Sequence, residues 1–402
     1  MSNSIHLLRN KFVRVILISN LFSQFGIWIR NMAVLLYVME SSNGDALAVS
    51  MIAVAEYAPI FIFSFIGGVF ADRWRPKRTV VWCEGLSALS VLIVFFLIES
   101  GSWTVVFFAA LISSILSQFA QPSGMKLFKL HVKDEEAPIC MSLLQMFFSV
   151  FMIIGPILGT LVYQQTGIGV SILLTSVSFL ISAFVMLFIP ADPPVPSDQS
   201  AEPASLLREM ADGIRYVIFN RELLRLSLCF TLVGLGVGLV TPLSIFLVTD
   251  RLGLPAHDLP WITIPYGLGE MLGGAAAFAV APRIAPQRLL LMGLLVNGLG
   301  ILLIGLSSVL WVTMAAQFII ALLQPAIFIG NNTLVMNHTE QAFIGRVTGI
   351  RTPLMTGSML LMMSASGVLK DAWSLAIVYE LAGLCFLAGL LFIVPIHRSR
   401  SQ

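Results

Sequence analysis

The chain has 402 residues, 57% of them hydrophobic and only 11% charged, with a net charge of +2 and a mean hydropathy of +0.92. A water-soluble enzyme is excluded, since soluble domains carry about a quarter of their residues as charges. DNA or RNA binding has no support, because the basic residues alternate between loops instead of forming one nucleic-acid-sized patch.

Twelve apolar stretches run through the chain, near residues 14–39, 49–71, 79–99, 103–125, 138–163, 168–189, 223–249, 259–281, 286–306, 308–332, 346–370 and 373–395. Each is long enough to cross about 30 Å of hydrocarbon as a helix, which satisfies its backbone hydrogen bonds internally. An all-α integral membrane protein of twelve transmembrane helices is predicted. Arg9, Lys11 and Arg14 precede the first span, and no short apolar core with a small-residue cleavage site is present. The first span is therefore not a removable signal peptide.

Charge predicts orientation. The amino-terminal cluster is joined by Arg73, Arg75, Lys77 and Arg78, by Lys126, Lys129 and Lys133, by Arg208, Arg215, Arg221 and Arg225, and by Arg283, Arg288, Arg346, Arg398 and Arg400, whereas the opposite loops offer only Arg251 and Lys370. The positive-inside rule then puts both termini in the cytoplasm of a multi-pass cell-membrane protein, with a bacterial inner or plasma membrane favoured. Trp103, Trp261, Trp311 and Trp373 open four returning helices at the outer interface, as an aromatic belt does. Cys83, Cys140, Cys229 and Cys385 lack CxxC spacing, and the five histidines fall in tails or loops, so no metal site is expected.

The segment from Pro190 to Glu222 is the one long polar stretch, which divides the chain into an amino-terminal six-helix half (1–190), a cytoplasmic linker (191–222) and a carboxy-terminal half (223–402). A shift of about 210 residues pairs Asn10-Lys11 with Asn220-Arg221, Gly26 with Gly236, Ala71 with Ala281, Arg73 with Arg283, Pro76 with Pro286 and Arg78 with Arg288, as in a parallel repeat. Two such halves imply alternating access to a site near the midplane.

The run Gly68-Val69-Phe70-Ala71-Asp72-Arg73-Trp74-Arg75-Pro76-Lys77-Arg78 resembles the signature loop between helices 2 and 3 of the major facilitator superfamily, with Arg75 where glycine is usual and Pro76 where arginine is usual. Pro122 to Val132, Gly155-Pro156-Ile157-Leu158-Gly159 and Gly345-Arg346-Val347 extend the likeness to the macrolide-efflux and enterobactin-exporter branch. The helix-5 run is similar to the antiporter motif of drug exporters, with Thr160 and Phe151 at positions where that motif has glycine. The resemblance implies export. It also implies that Asp72 meets the start of helix 11, where exposed N–H groups favour a carboxylate, so that Gly68, Asp72, Arg73 and Arg346 form a conformational latch. Gly155, Pro156 and Gly159 permit a bend, or equally close helix packing.

Ionisable residues inside a membrane are costly and usually paired or functional. Arg30, Glu56, Glu270, Arg351 and Glu380 lie within the predicted spans. Arg30 and Glu56 lie at similar depth, so a pair is feasible, either as a switch whose freed carboxylate takes up a proton or as a static brace. Glu270 lies mid-span among glycines, with Arg351 the one inner-half candidate cation, which would have to reach upward to it; an unpaired carboxylate there suits a proton carrier or a neutral packing role. Proton-coupling candidates are therefore Glu56, Glu270 and Arg30.

In the resembled fold helices 1, 4, 7 and 10 line the cavity. Asn20, Gln24 and Asn31 share a face of the first span, Gln118 and Gln121 one of the fourth, and Gln317, Gln324 and Asn331 recur at sevens in the tenth. They are the candidates for a substrate cavity, the alternative being amide contacts that bind helix to helix. Phe22, Phe25, Trp28, Met146, Phe147 and Phe148 offer an apolar surface, or core and lipid contacts.

The expected function is that of a secondary active transporter, a proton-coupled exporter of an amphipathic small molecule such as a macrolide-like drug, dye or siderophore, working as a monomer. No GxxxxGK[ST] loop is present, so the proton gradient, with no cofactor, is expected to drive it. A nutrient importer or facilitator, a lipid flippase and a non-transporting membrane sensor are the alternatives.

Overall fold

The computed structural model describes residues 11–97, 103–131, 137–189, 211, 213–280, 283–340 and 343–399, with side chains at 64–73, 121–122, 125–126, 128–131, 137–146, 149, 278–280, 344–345 and 397–399 outside the description. Linker residues 191–210 also lie outside it. The described chain is helical: α1 Lys11–Ser41, α2 Ala46–Arg73, α3 Pro76–Leu97, α4 Trp103–His131, then Ala137–Met186, α7 Arg221–Val240, α8 Pro260–Val280, α9 Pro286–Leu306, α10 Leu310–His338, α11 Ile344–Ala372 and α12 Leu375–Ser399. The stretch Ala137–Met186 is two helices, because Gly167 at φ 73° leaves the helical region and separates α5 (137–166) from α6 (168–186). Only glycine takes that conformation at little cost.

Ten described stretches are long and apolar enough to cross a membrane. One of them, Val150–Met186, is divided by the Gly167 break, and Pro260–Val280 is a further 21-residue helix outside the ten, so the described residues form twelve long helices, the number of spans expected. Outward-facing apolar side chains such as Phe96, 71% exposed, and Leu391, 74% exposed, fit a lipid surround better than water.

Helix ends follow local chemistry. Asn43 (φ 53°) and Gly44 (φ 78°) turn the chain between α1 and α2, and Asp45 Oδ1 accepts the Leu47 N–H at 2.8 Å. Asn220 caps α7 by accepting from the N–H groups of Glu222 and Leu223 at 3.1 and 3.2 Å. Asn220→Ala is expected to cost about 1 kcal/mol, read as a small fall in thermal midpoint of the purified protein. The span expected over 223–249 is not one helix. Helix α7 stops at Val240, because Pro242 has no N–H to continue it, and the chain resumes as a short turn, Ser244–Phe246, and a π-helical turn, Leu247–Arg251.

The helices fall into two compact units, residues 1–48 with 55–198 and residues 49–54 with 199–402. In each unit the first helix is held by close glycine contacts. A Cβ at Gly159 of α5 would stand 2.6 Å from the Trp28 carbonyl of α1, and one at Gly155 would strike the Trp28 ring. In the second unit the glycines sit on α7 instead: Gly234 and Gly238 bring it against the backbone of Met355 and Met359 on α11. Small residues four apart let backbones approach in lipid, where apolar burial drives little. The repeat shift is visible here, since it carries the first residues of α1 and α3 onto those of α7 and α9. Gly26 touches Phe179 of α6 as Gly236 touches Phe386 of α12.

Candidate functional site

In the first unit α1 separates two spaces of opposite character. On one side lies a cavity of about 250 Å³ lined by Ser23, Arg30 and Asn31 of α1, Glu56 and Tyr57 of α2, Cys83, Glu84 and Ser87 of α3, and Ser113, Ser114, Ser117 and Gln118 of α4. On the other lies a space of about 410 Å³ lined only by apolar side chains, among them Phe22 and Phe25 of α1 and Phe147, Phe151 and Ile154 of α5. Helical periodicity produces the division: Ser23, Ile27, Arg30 and Asn31 share one face while Leu21, Phe22 and Phe25 fall on another.

Arg30 is fixed by its neighbours. Its Nε and Nη2 donate to Asn31 Oδ1 at 3.1 and 2.9 Å, and its Nη1 donates to Ser113 Oγ on α4. Glu56 lines the same cavity, near enough for the two charges to interact. Among the described residues no ion pair within 4.0 Å joins them. The arginine fork is thus held by neutral acceptors, Asn31 Oδ1 and Ser113 Oγ.

Glu84 was missed in the sequence reading, although the signal that picked out Glu56, a carboxylate inside an apolar span, applies to it equally. Its Oε1 accepts from Ser23 Oγ at 3.0 Å, while its Oε2 is buried with no hydrogen-bond partner among the described residues. Around it, Ser19 and Ser182 hydroxyls pair at 2.8 Å between α1 and α6.

The second unit places its charges differently. Arg351 of α11, 6% exposed, donates from Nε to Ser227 Oγ at 3.1 Å and from Nη2 to the Leu226 carbonyl at 3.1 Å and Asn331 Oδ1 at 2.9 Å, with its guanidinium 5.6 Å over the Phe230 ring. It ties α7, α10 and α11 together and does not pair with Glu270. Glu270 makes no hydrogen bond or ion pair among the described residues; its flanking Gly269 and Gly273 bring α8 against the Phe318 and Leu322 carbonyls of α10. Asn331, expected to line a cavity, is 0% exposed and serves Arg351. A seven-residue repeat sets the helix face but not what that face packs against.

The remaining expected residues are dispersed. Gln324 accepts from the Tyr266 hydroxyl of α8. Asn20, Gln24, Gln317 and Glu380 are half-buried, and Asn20 and Gln24 line neither of the spaces beside α1. Gly155, Pro156 and Gly159 lie on α5, whose glycines receive Trp28. The side chains of Gln121, Met146 and the latch residues Gly68, Asp72 and Arg73 lie outside the described residues, while Arg346, in the first turn of α11, has its guanidinium 5.2 Å over Phe343. Pro76, unusual in the loop signature, is the first residue of α3, where a missing N–H costs nothing. The next residue, Lys77, donates to the carbonyls of Leu187 and Ile189 beyond α6.

Residues 16–350 match the family described as Major Facilitator Superfamily. The chain belongs to that superfamily. This major facilitator protein is 26% identical over 392 residues to the uncharacterized MFS-type transporter YkuC of Bacillus subtilis (strain 168), covering 95% of this chain and 90% of that one. It is 26% identical over 250 residues to macrolide efflux protein A of Streptococcus pyogenes, covering 61% of each. A mutant of the nucleoside transporter NupG has the same fold, with a TM-score of 0.80 over 96% of this chain and 99% of that one at 12% identity. The facilitator is thus a multi-pass membrane transporter and not an enzyme.

Proposed function

We propose that this transporter exports amphipathic small molecules, such as a macrolide-like drug, dye or siderophore, in exchange for protons by alternating access. The observation that carries the reading is the division at α1, with Arg30, Glu56 and Glu84 around one space and phenylalanines around the other. An amphiphile needs an apolar surface for its body and polar groups for its head, and a proton-driven exporter needs a carboxylate that can change charge within the membrane. The efflux function named for the streptococcal relative supports the outward direction. The basic loops support a cytoplasmic-membrane protein with both termini inside. Asp72, Arg73 and Arg346 remain the proposed latch.

The test is expression in an efflux-deficient bacterium, with susceptibility recorded to macrolides, dyes and lipophilic cations. Resistance to at least one class is expected, with proton-driven accumulation of that compound in inverted vesicles. No protection, or accumulation in the opposite direction, overturns export. Glu270→Gln, expressed at the same level, is expected to remove the resistance if the unpartnered α8 carboxylate carries the coupled proton. Resistance kept in this variant, and lost in Glu56→Gln, assigns coupling to the first unit.

A further inference from the structure

The cavity in the first six helices holds one more carboxylate than its arginine can balance. Glu56 and Glu84 both line it, and Arg30 is the only basic side chain among its lining residues. Glu84 hydrogen-bonds Ser23, and Ser23 lies seven residues before Arg30 on α1, about 10 Å along the helix axis at 1.5 Å per residue. The carboxylates therefore occupy different heights of one cavity, Glu84 level with Ser23 and Glu56 near Arg30. Ser87, Ser113, Ser114, Ser117 and Gln118 supply hydroxyl and amide groups on its walls.

We propose that Glu84 and Glu56 share one proton across this cavity, so that Glu84 is the second proton-holding residue of the transport cycle. The inference rests on the proton-coupled reading above. With Arg30 charged, one ionised carboxylate makes the cavity neutral, and a second would leave an uncompensated charge away from water, which is costly. The other carboxylate therefore carries a proton. In the transfer, Glu84 loses the proton from a carboxyl oxygen, the Glu56 carboxylate gains one through intervening hydroxyls, and Arg30 stays protonated, so the cavity charge does not change. The buried Glu84 Oε2, which makes no hydrogen bond within 3.5 Å among the described residues but has the Ser182 hydroxyl of α6 beside its carboxylate, is the oxygen placed to hold or release it. The other ionisable groups lining the cavity are Tyr57 on α2 and Cys83 on α3; α4 and α6 contribute none.

Infrared difference spectroscopy of the purified full chain near neutral pH reads protonated carboxyl groups directly and needs no substrate. The carboxylic-acid C=O band assigned to this cavity is expected to disappear in Glu84→Gln and equally in Glu56→Gln, since either carboxylate left as the one acid in the cavity that Arg30 lines ionises. In Arg30→Gln it is expected to grow roughly twofold, because two carboxylates without a cation both take protons. Glu84→Asp should retain the band at a shifted frequency, which separates loss of the proton from loss of the fold. A band unchanged in Glu56→Gln, or in Glu84→Gln, overturns the shared proton. Failure to export any compound in the susceptibility panel would defeat the export reading and leave these band intensities as they are. Intact export without the reciprocal loss would defeat the shared proton alone.

Discussion

Arg30→Ala is expected to reduce export by at least about tenfold at unchanged expression, measured as the initial rate of energised dye uptake into inverted vesicles. The guanidinium makes two bonds to Asn31 and one to Ser113, and hydrogen bonds to a charged group contribute about 1.5–3 kcal/mol each. Its removal also takes the one basic side chain from the lining of the cavity that Glu56 and Glu84 share, so under the shared-proton proposal both carboxylates hold their protons and neither releases one to the cycle. Losing 1.4 kcal/mol of selective stabilisation already corresponds to about tenfold. Arg30→Lys keeps the charge but not the planar fork that spans Asn31 and Ser113, and an intermediate rate is expected. A rate for Arg30→Ala equal to that of the unaltered protein would remove Arg30 from the mechanism and leave it a brace.

Gly238→Leu is expected to produce the largest loss of stability, seen as a lower thermal unfolding midpoint in detergent. A Cβ at this position would run into the Met359 carbonyl of α11, and one at Gly234 would stand against the Met355 carbonyl and the Ser358 hydroxyl. These neighbours are backbone or packed side chain, so they cannot swing aside, and α7 would have to separate from α11. Inserting atoms into a close contact costs about 1–3 kcal/mol and sometimes more. The separation would also pull Leu226 and Ser227 from Arg351. Gly85 is the control: a Cβ there meets nothing within 4 Å, so Gly85→Ala should be neutral or stabilising by about 0.5–1 kcal/mol, the usual helix preference for alanine. A midpoint for Gly238→Leu equal to that of Gly85→Ala would contradict the close α7–α11 contact.

The span count, the positions of most helix ends and the repeat at a shift of about 210 residues were legible because they are one-dimensional properties. Apolar length decides whether a segment crosses a bilayer, and a helix closes its own hydrogen bonds within the segment. Pro286 reads from the sequence as a span start, whereas Pro76 and Asn220, noted there as members of repeat pairs, open α3 and cap α7. Counting residues from a helix end puts Arg30 and Glu56 at similar depth as a feasible pair; both line one cavity, although no ion pair within 4.0 Å joins them among the described residues. Height is not direction. The rotation of each helix about its axis is set by its neighbours, through glycine contacts such as Gly155 against Trp28 or Gly238 against Met359. That rotation decided that Arg351 binds Ser227 and Asn331 instead of Glu270, that Asn331 is buried, and that Ser23 meets Glu84. The amino-acid order thus determined a twelve-helix membrane transporter and the depth of its charges, whereas tertiary packing decided which charges share a cavity.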